Sequence, residues 1–146
     1  MHQVLRRAVL AVSCAALVLG TFSAPASADS TAIKIGANAD RSASHLRVFV
    51  RVRVACSHDT TSAILTGRVE QTNAAGDTQV GEGALLNLSS FECSGVEERV
   101  ILPVRIPTGG YLWRAGEAAV RDICFVTIDP SGEYESFLKA RMVTVH

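Results

Sequence analysis

Hydrophobic and polar residues alternate along two stretches of this chain, and both stretches predict half-buried β-strands. From Leu46 to Cys56, apolar residues occupy every second position, and arginines fill most of the positions between them. Glu97–Ile106 alternates in the same way, although Pro103 cannot donate to a strand ladder and therefore indicates a sheet edge or a bulge. Because successive side chains of a strand point to opposite faces, each stretch has one core face and one outward face.

Five further segments have the residue types of strands and are bounded by turn-forming residues. They are Ala32–Ala37, Ser62–Thr72, Gln79–Leu88, Glu117–Asp129 and Glu135–Val145. A polar link from Asn38 to Ser44 separates the first of these from the alternating stretch that follows it. Seven short strands with turns between them predict one all-β domain, either a sandwich or a small barrel.

The first 28 residues have the three parts of a secretory signal peptide. Arg6 and Arg7 are basic, Ala8–Gly20 is apolar, and Ala26-Ser27-Ala28 is a small-x-small cleavage site. The apolar run has 13 residues, whereas a membrane-spanning helix needs about 20. We therefore expect cleavage before Asp29, a secreted extracellular domain at residues 29–146, and no stable membrane anchor.

Composition limits the size of this domain and the partners it could bind. Residues 29–146 number 118, which is the size of a single domain. Its fourteen acidic residues against twelve basic ones give a net charge of −2 with histidines neutral. Because nucleic acids and anionic membranes both favour basic surfaces, this balance argues against either as the main partner. The predicted secretion makes an extracellular protein or a cell-wall component the expected partner.

Three cysteines remain after the predicted cleavage: Cys56, Cys93 and Cys124. An odd number in an oxidising compartment predicts one disulfide bond and one cysteine that is free or bonded to another molecule. Spacing alone leaves open whether Cys56 bonds to Cys93 or to Cys124. Cys124 lies in phase with Val120 and Val126, which predicts that it is buried.

No pattern of residues predicts catalysis, a cofactor or a metal. Cys56-Ser57-His58-Asp59 is the one dense cluster of ligand types, and it lacks the second pair of ligands that a zinc site needs. The chain has no Gly-x-Ser-x-Gly nucleophile elbow, and Cys93 follows an acidic residue that would raise its pKa. We therefore expect a protein that is not an enzyme and holds no cofactor.

Two groups of residues could form a binding surface. Arg47, Arg51 and Arg53 share the outward face of one strand and could bind a polyanion or an acidic protein. The alternative, which the pattern favours, is a solvated face paired with acids such as Glu70, Glu97 or Glu117. Tyr111 and Trp113 form the second group. They could be exposed on a recognition loop, although a single tryptophan favours burial in the core.

One pattern in the chain resembles a group of small secreted actinobacterial proteins to which no activity is assigned. Cys56 ends a strand, Cys93-Ser94-Gly95 follows, and the segment from Trp113 to Val120 matches the start of a later strand with one extra residue before Val120. Cys124 departs from the pattern. The resemblance implies an immunoglobulin-like β-sandwich of about seven antiparallel strands. It also implies a disulfide bond between Cys56 and Cys93, and it implies no activity.

These observations predict a secreted, non-catalytic module that binds a partner or has a structural role outside the cell. The alternative is a secreted inhibitor of a protease or another hydrolase, which needs only a rigid exposed loop. The segments Ser57–Thr61 and Gly109–Trp113 are the candidates for such a loop.

Overall fold

The computed structural model describes residues 33–146, apart from the side chain of Phe137. The predicted signal peptide at residues 1–28 lies outside these described residues. Seven strands follow one another along the described chain, and a single turn of 3₁₀ helix at Leu88–Ser90 lies between the fourth and fifth. The strands are β1 (Ile33–Arg41), β2 (Arg47–Val54), β3 (Ser62–Thr72), β4 (Thr78–Leu85), β5 (Glu98–Arg105), β6 (Gly116–Ile128) and β7 (Tyr134–Val145). Between residues 33 and 146, no helix is long and apolar enough to cross a membrane.

The seven strands predicted from the sequence are all present, with small differences at their ends. The largest difference is in β1, which continues to Arg41 and occupies part of the predicted polar link. This extension is possible because β1 contains a bulge between Ile35 and Ala39, where the register with β2 shifts. Beyond the bulge, Asp40 and Arg41 resume regular pairing with β2.

The strands close into a barrel in the order β1-β2-β5-β4-β3-β6-β7. The predicted immunoglobulin-like sandwich of antiparallel strands is therefore wrong. Closure depends on a short parallel ladder between the first and last strands, in which Asn38 and Ala39 pair with Thr144 and Val145. The alternation in the sequence indicates which face of a strand is buried, but it does not identify the neighbouring strand, so it could not reveal this closure.

The core fills the inside of the barrel. Val50 and Leu102 are register partners on β2 and β5, and both are almost completely buried. Trp113 is the largest fully buried side chain. It lies against Gly81 of β4, where an added Cβ would be 2.6 Å from the indole Cζ2 atom. A larger residue at Gly81 would therefore displace the tryptophan or the strand.

A bulge in β6 changes which of its residues face the core. The register of β6 with β7 shifts between Val120 and Ile123, and Asp122 has a φ of 50°. Because an extra residue reverses the alternation, Ile123 and Phe125 join Val120 in the core. Cys124 is buried, as predicted, with 4% of its surface exposed. The predicted reason was wrong, since Cys124 is out of phase with Val120.

A disulfide bond joins Cys56 to Cys93, with Cα atoms 4.5 Å apart. This confirms the pairing that the resemblance implied. Cys56 follows the end of β2, and Cys93 lies in the segment that leads into β5. The bond is supported nearby by a backbone hydrogen bond from Gly95 to the Cys56 carbonyl. It therefore fastens the chain at one end of the paired strands β2 and β5.

Candidate functional site

The outward face of β2 carries Arg47, Arg51 and Arg53, as the alternation predicts. All three residues are exposed, whereas the valines between them are buried in the core. The side chains of Arg51 and Arg53 are about half exposed, at 48% and 54%. We call the outward face of β1, β2 and β5 the basic wall, because cations from all three strands meet there.

Three cations lie side by side across the basic wall. Lys34 of β1 is the register partner of Arg53, and Arg53 is the register partner of Arg99 of β5. Neighbouring strands are about 4.8 Å apart, so the Cα atoms of these three residues span about 10 Å. Like charges directly opposite one another destabilise a sheet. This cation row therefore costs folding free energy unless anions neutralise it.

Among residues 33–146, one carboxylate, that of Glu97, reaches the cation row. Lys34 Nζ donates to Glu97 Oε2 at 2.8 Å, and Arg53 Nη1 donates to Oε1 at 3.3 Å. The Lys34 ammonium, aided by the Arg53 guanidinium, holds the pKa of Glu97 below its ordinary value of 4.5, although desolvation acts in the opposite direction. Arg99 has no ion pair with any residue in the range 33–146. The row therefore keeps an excess of positive charge.

A groove opens beside the cation row, at the bulge in β1. It has a volume of about 360 Å³. Gly36 lets the bulged backbone lie close to β2, because an added Cβ there would be 3.2 Å from the Arg51 carbonyl oxygen. Arg141 of β7 closes the far side, where its Nη1 atom donates to the Ile35 carbonyl at 2.7 Å. The residues lining the groove are Lys34, Ile35, Gly36, Ala37, Asn38, Arg51, Arg53, Arg99 and Arg141.

The lining of this groove contains five cations and no carboxylate. The two nearest acids stand at its margin, where Asp40 pairs with Arg51 at 2.5 Å and Glu97 pairs with Lys34 and Arg53. Guanidinium groups present several N–H donors in a plane and bind carboxylate, phosphate or sulfate with two hydrogen bonds. The groove therefore has the charge and the donors of an anion-binding site.

At the second candidate surface, Tyr111 and Trp113, the burial that a single tryptophan favoured is confirmed, and an exposed recognition loop is ruled out for Trp113. Trp113 is fully buried and so cannot contact a partner. Tyr111 is half-buried, and its hydroxyl lies 2.6 Å from the Gln71 carbonyl oxygen and 2.8 Å from that of Asp77. The Tyr111 backbone N–H also donates to the Gln79 side chain. Tyr111 and Trp113 therefore anchor this segment to the barrel, and these are the two side chains that recognition would require.

Cys56, Cys93 and Glu98 form the cluster of metal-ligand types that the described residues bring together, with their ligand atoms within 4.8 Å of one another. The two sulfur atoms are bonded to each other, so neither is available as a thiolate. A Glu98 oxygen accepts the backbone N–H groups of Glu92 and Cys93. These three residues therefore lie together because the disulfide bond and the Glu98 hydrogen bonds hold the loop that precedes β5.

The structure adds residues to the site that the sequence did not single out. Lys34, Arg99 and Arg141 come from three different strands and join Arg51 and Arg53 at the groove. Arg99 could be placed on an outward face from its alternation with Val100, but its position opposite Arg53 depends on the register. Arg47 lies on the same wall outside the groove lining. Of the acids predicted to pair with this face, Glu97 does so, and Glu70 pairs with Arg121 instead.

No family model matches the chain, and a search of the curated proteins finds no matching sequence.

Proposed function

We propose that this protein is a secreted, non-catalytic binding module whose basic groove holds an anionic group of an extracellular partner. The observation that carries the proposal is the lining of the groove, where five cations stand without a carboxylate among them. An anion in the groove would neutralise the cation row and recover the free energy that the facing charges cost.

Two observations support an extracellular location. The Cys56–Cys93 disulfide bond is of a kind that forms and persists in oxidising compartments. The sequence before Asp29 also has the basic, apolar and small-residue parts of a signal peptide. In this proposal the partner is another exported protein or a component of the cell wall, and the barrel holds the cations on rigid strands.

Titration with labelled anionic polymers tests the function. We expect poly-L-glutamate and polyphosphate to bind saturably, poly-L-lysine not to bind, and the affinity to fall as salt rises. Replacing both Arg53 and Arg99 by glutamine should weaken binding about tenfold or more, because each loses charge-assisted hydrogen bonds. Fluorescence anisotropy at several salt concentrations measures these affinities.

The matched control is a double variant on β3 and β6, in which Arg68 and Arg121 are replaced by glutamine. It removes the same two charges from arginines that have their own carboxylates, Asp122 and Glu70. Its affinity should stay near that of the unaltered protein. Equal weakening in both double variants would show that only net charge matters and would contradict the proposal, as would the absence of saturable binding.

A further inference from the structure

The basic wall has a second pair of facing cations at its other end. Arg47 of β2 and Arg105 of β5 are register partners, and both are exposed. Neither has an ion pair within the described part of the chain, although Glu82 of β4 is the register partner of Arg105 on its other side. Arg53 is six positions after Arg47 along β2, which is about 20 Å at 3.3 Å per residue. The wall therefore carries positive charge at two places far apart.

Between these two places the outward residues of β5, Ile101 and Pro103, are apolar, whereas β2 carries Arg51, which is paired with Asp40 of β1. Phe49 of β2 faces Pro103 of β5, and both are half-buried. Ile101, the register partner of Arg51, is 53% exposed. An exposed isoleucine flanked by a phenylalanine and a proline has the composition of the centre of a protein interface, and arginine is also enriched in such interfaces. Along β5 the order is therefore a cation, an apolar centre and a second cation, and the charge of Arg51 beside this centre is already neutralised by Asp40.

This order distinguishes between two kinds of anionic partner. A phosphate polymer carries charge at regular intervals and would lay charged groups on the apolar centre, where they lose hydration without gaining hydrogen bonds. An extended polypeptide of about seven residues spans the same 20 Å and can place acidic residues at both ends and apolar side chains between them. The charge pattern and the apolar centre together match the polypeptide.

We infer that the partner is a protein that presents a short extended segment, acidic at both ends and apolar in the middle, along β2 and β5. The inference rests on the proposed anion-binding function of the groove and names the ligand class for it. One acidic end of the segment enters the groove at Arg53 and Arg99, its apolar side chains cover Ile101, and its other acidic end meets Arg47 and Arg105.

Three labelled synthetic peptides of about eight residues provide the test. The first has two glutamates at each end and leucines in the middle, the second has serines in the middle, and the third has all its glutamates at one end. We expect the first to bind about tenfold more tightly than the second, because it buries apolar surface on Ile101. The third should bind more weakly than the first, since it reaches only one pair of arginines.

Variants of the protein locate the effect. Ile101→Ser should remove most of the advantage of the leucine peptide and leave polyphosphate binding unchanged, whereas Leu138→Ser, at a similarly exposed position on β7, should change neither. Replacing Arg47 and Arg105 by glutamine should remove the difference between the first and third peptides.

Two results would overturn the inference, and they differ in what else they overturn. If polyphosphate binds at the groove and the leucine and serine peptides bind equally, the groove recognises anions without selecting a polypeptide, and only this inference fails. If neither peptide nor polymer binds saturably, the proposed anion-binding function fails with it.

Discussion

Two walls of the barrel each carry a pair of facing arginines, and the charges of these arginines are neutralised differently on the two walls. On the outward face of β3 and β6, which we call the opposite wall, Arg68 and Arg121 are register partners just as Arg53 and Arg99 are on the basic wall. Each arginine of the opposite wall has its own carboxylate. Arg68 pairs with Asp122, and Arg121 Nε lies 2.7 Å from Glu70 Oε2.

The basic wall lacks this balance. Lys34 and Arg53 share one carboxylate, that of Glu97, and Arg99 has no ion pair with the described residues. The difference arises partly from the backbone, because Asp122 is the extra residue of the β6 bulge and has no equivalent opposite Arg99. Carboxylates of the fold therefore neutralise the arginines of the opposite wall, whereas positive charge remains on the basic wall. An anionic partner would neutralise the positive charge that remains in the groove.

The largest effect that separates the walls should come from the Cys56–Cys93 disulfide bond, which joins the end of β2 to the segment before β5. Replacing Cys56 and Cys93 together by serine should lower the free energy of unfolding by about 4 kcal/mol in the chain-entropy model, because the bond closes a long loop. Urea unfolding measures the loss. Amide hydrogen exchange should rise more in β2 and β5 than in β3 and β6, and an equal rise in all four strands would contradict a local effect of this bond.

A smaller effect, opposite in sign on the two walls, should follow reversal of one charge. Arg99→Glu should raise the free energy of unfolding by about 0.2–1 kcal/mol, because an acid then faces Arg53. Arg121→Glu should lower it by a similar amount, because it removes the ion pair with Glu70 and places a second acid beside it, while Arg68 opposite already has Asp122. Urea midpoints at low salt measure both shifts, and high salt should shrink them.

The matched variants Arg99→Gln and Arg121→Gln separate the effect of charge from that of side-chain shape. If both glutamate variants shift stability in the same direction, the walls do not differ in their charge balance and the comparison is wrong.

The smallest effect concerns pH. The lowered pKa of Glu97, caused first by Lys34 and then by Arg53, means that the folded state favours the charged carboxylate. The stability that it contributes is present above the ordinary value of 4.5 and is lost as pH falls through the lowered pKa. Lys34→Met should raise the midpoint of the Glu97 carboxyl in an NMR titration. A midpoint at or above 4.5 in the unaltered protein would contradict the ion pairs.

Much of the architecture could be predicted from local patterns, and the errors have identifiable causes. The alternation from Leu46 to Cys56 placed Arg51 and Arg53 on an outward face correctly, because it is a property of a single strand. It failed in β6, where a bulge that no residue pattern announced put Cys124 out of phase with Val120. The burial of Trp113 does not follow from alternation within a strand. It depends on Gly81 of β4, which leaves room for the indole ring.

The sequence by itself determined seven strands, the outward position of the arginines on β2 and, through a family resemblance, the Cys56–Cys93 bond. Only the tertiary structure decided that β1 and β7 close a barrel, that Arg53 faces both Lys34 and Arg99, and that Arg141 completes the groove. The physical reason is that the face of a strand is set by the geometry of its own backbone. Its partner and register are set by packing between residues far apart in the chain.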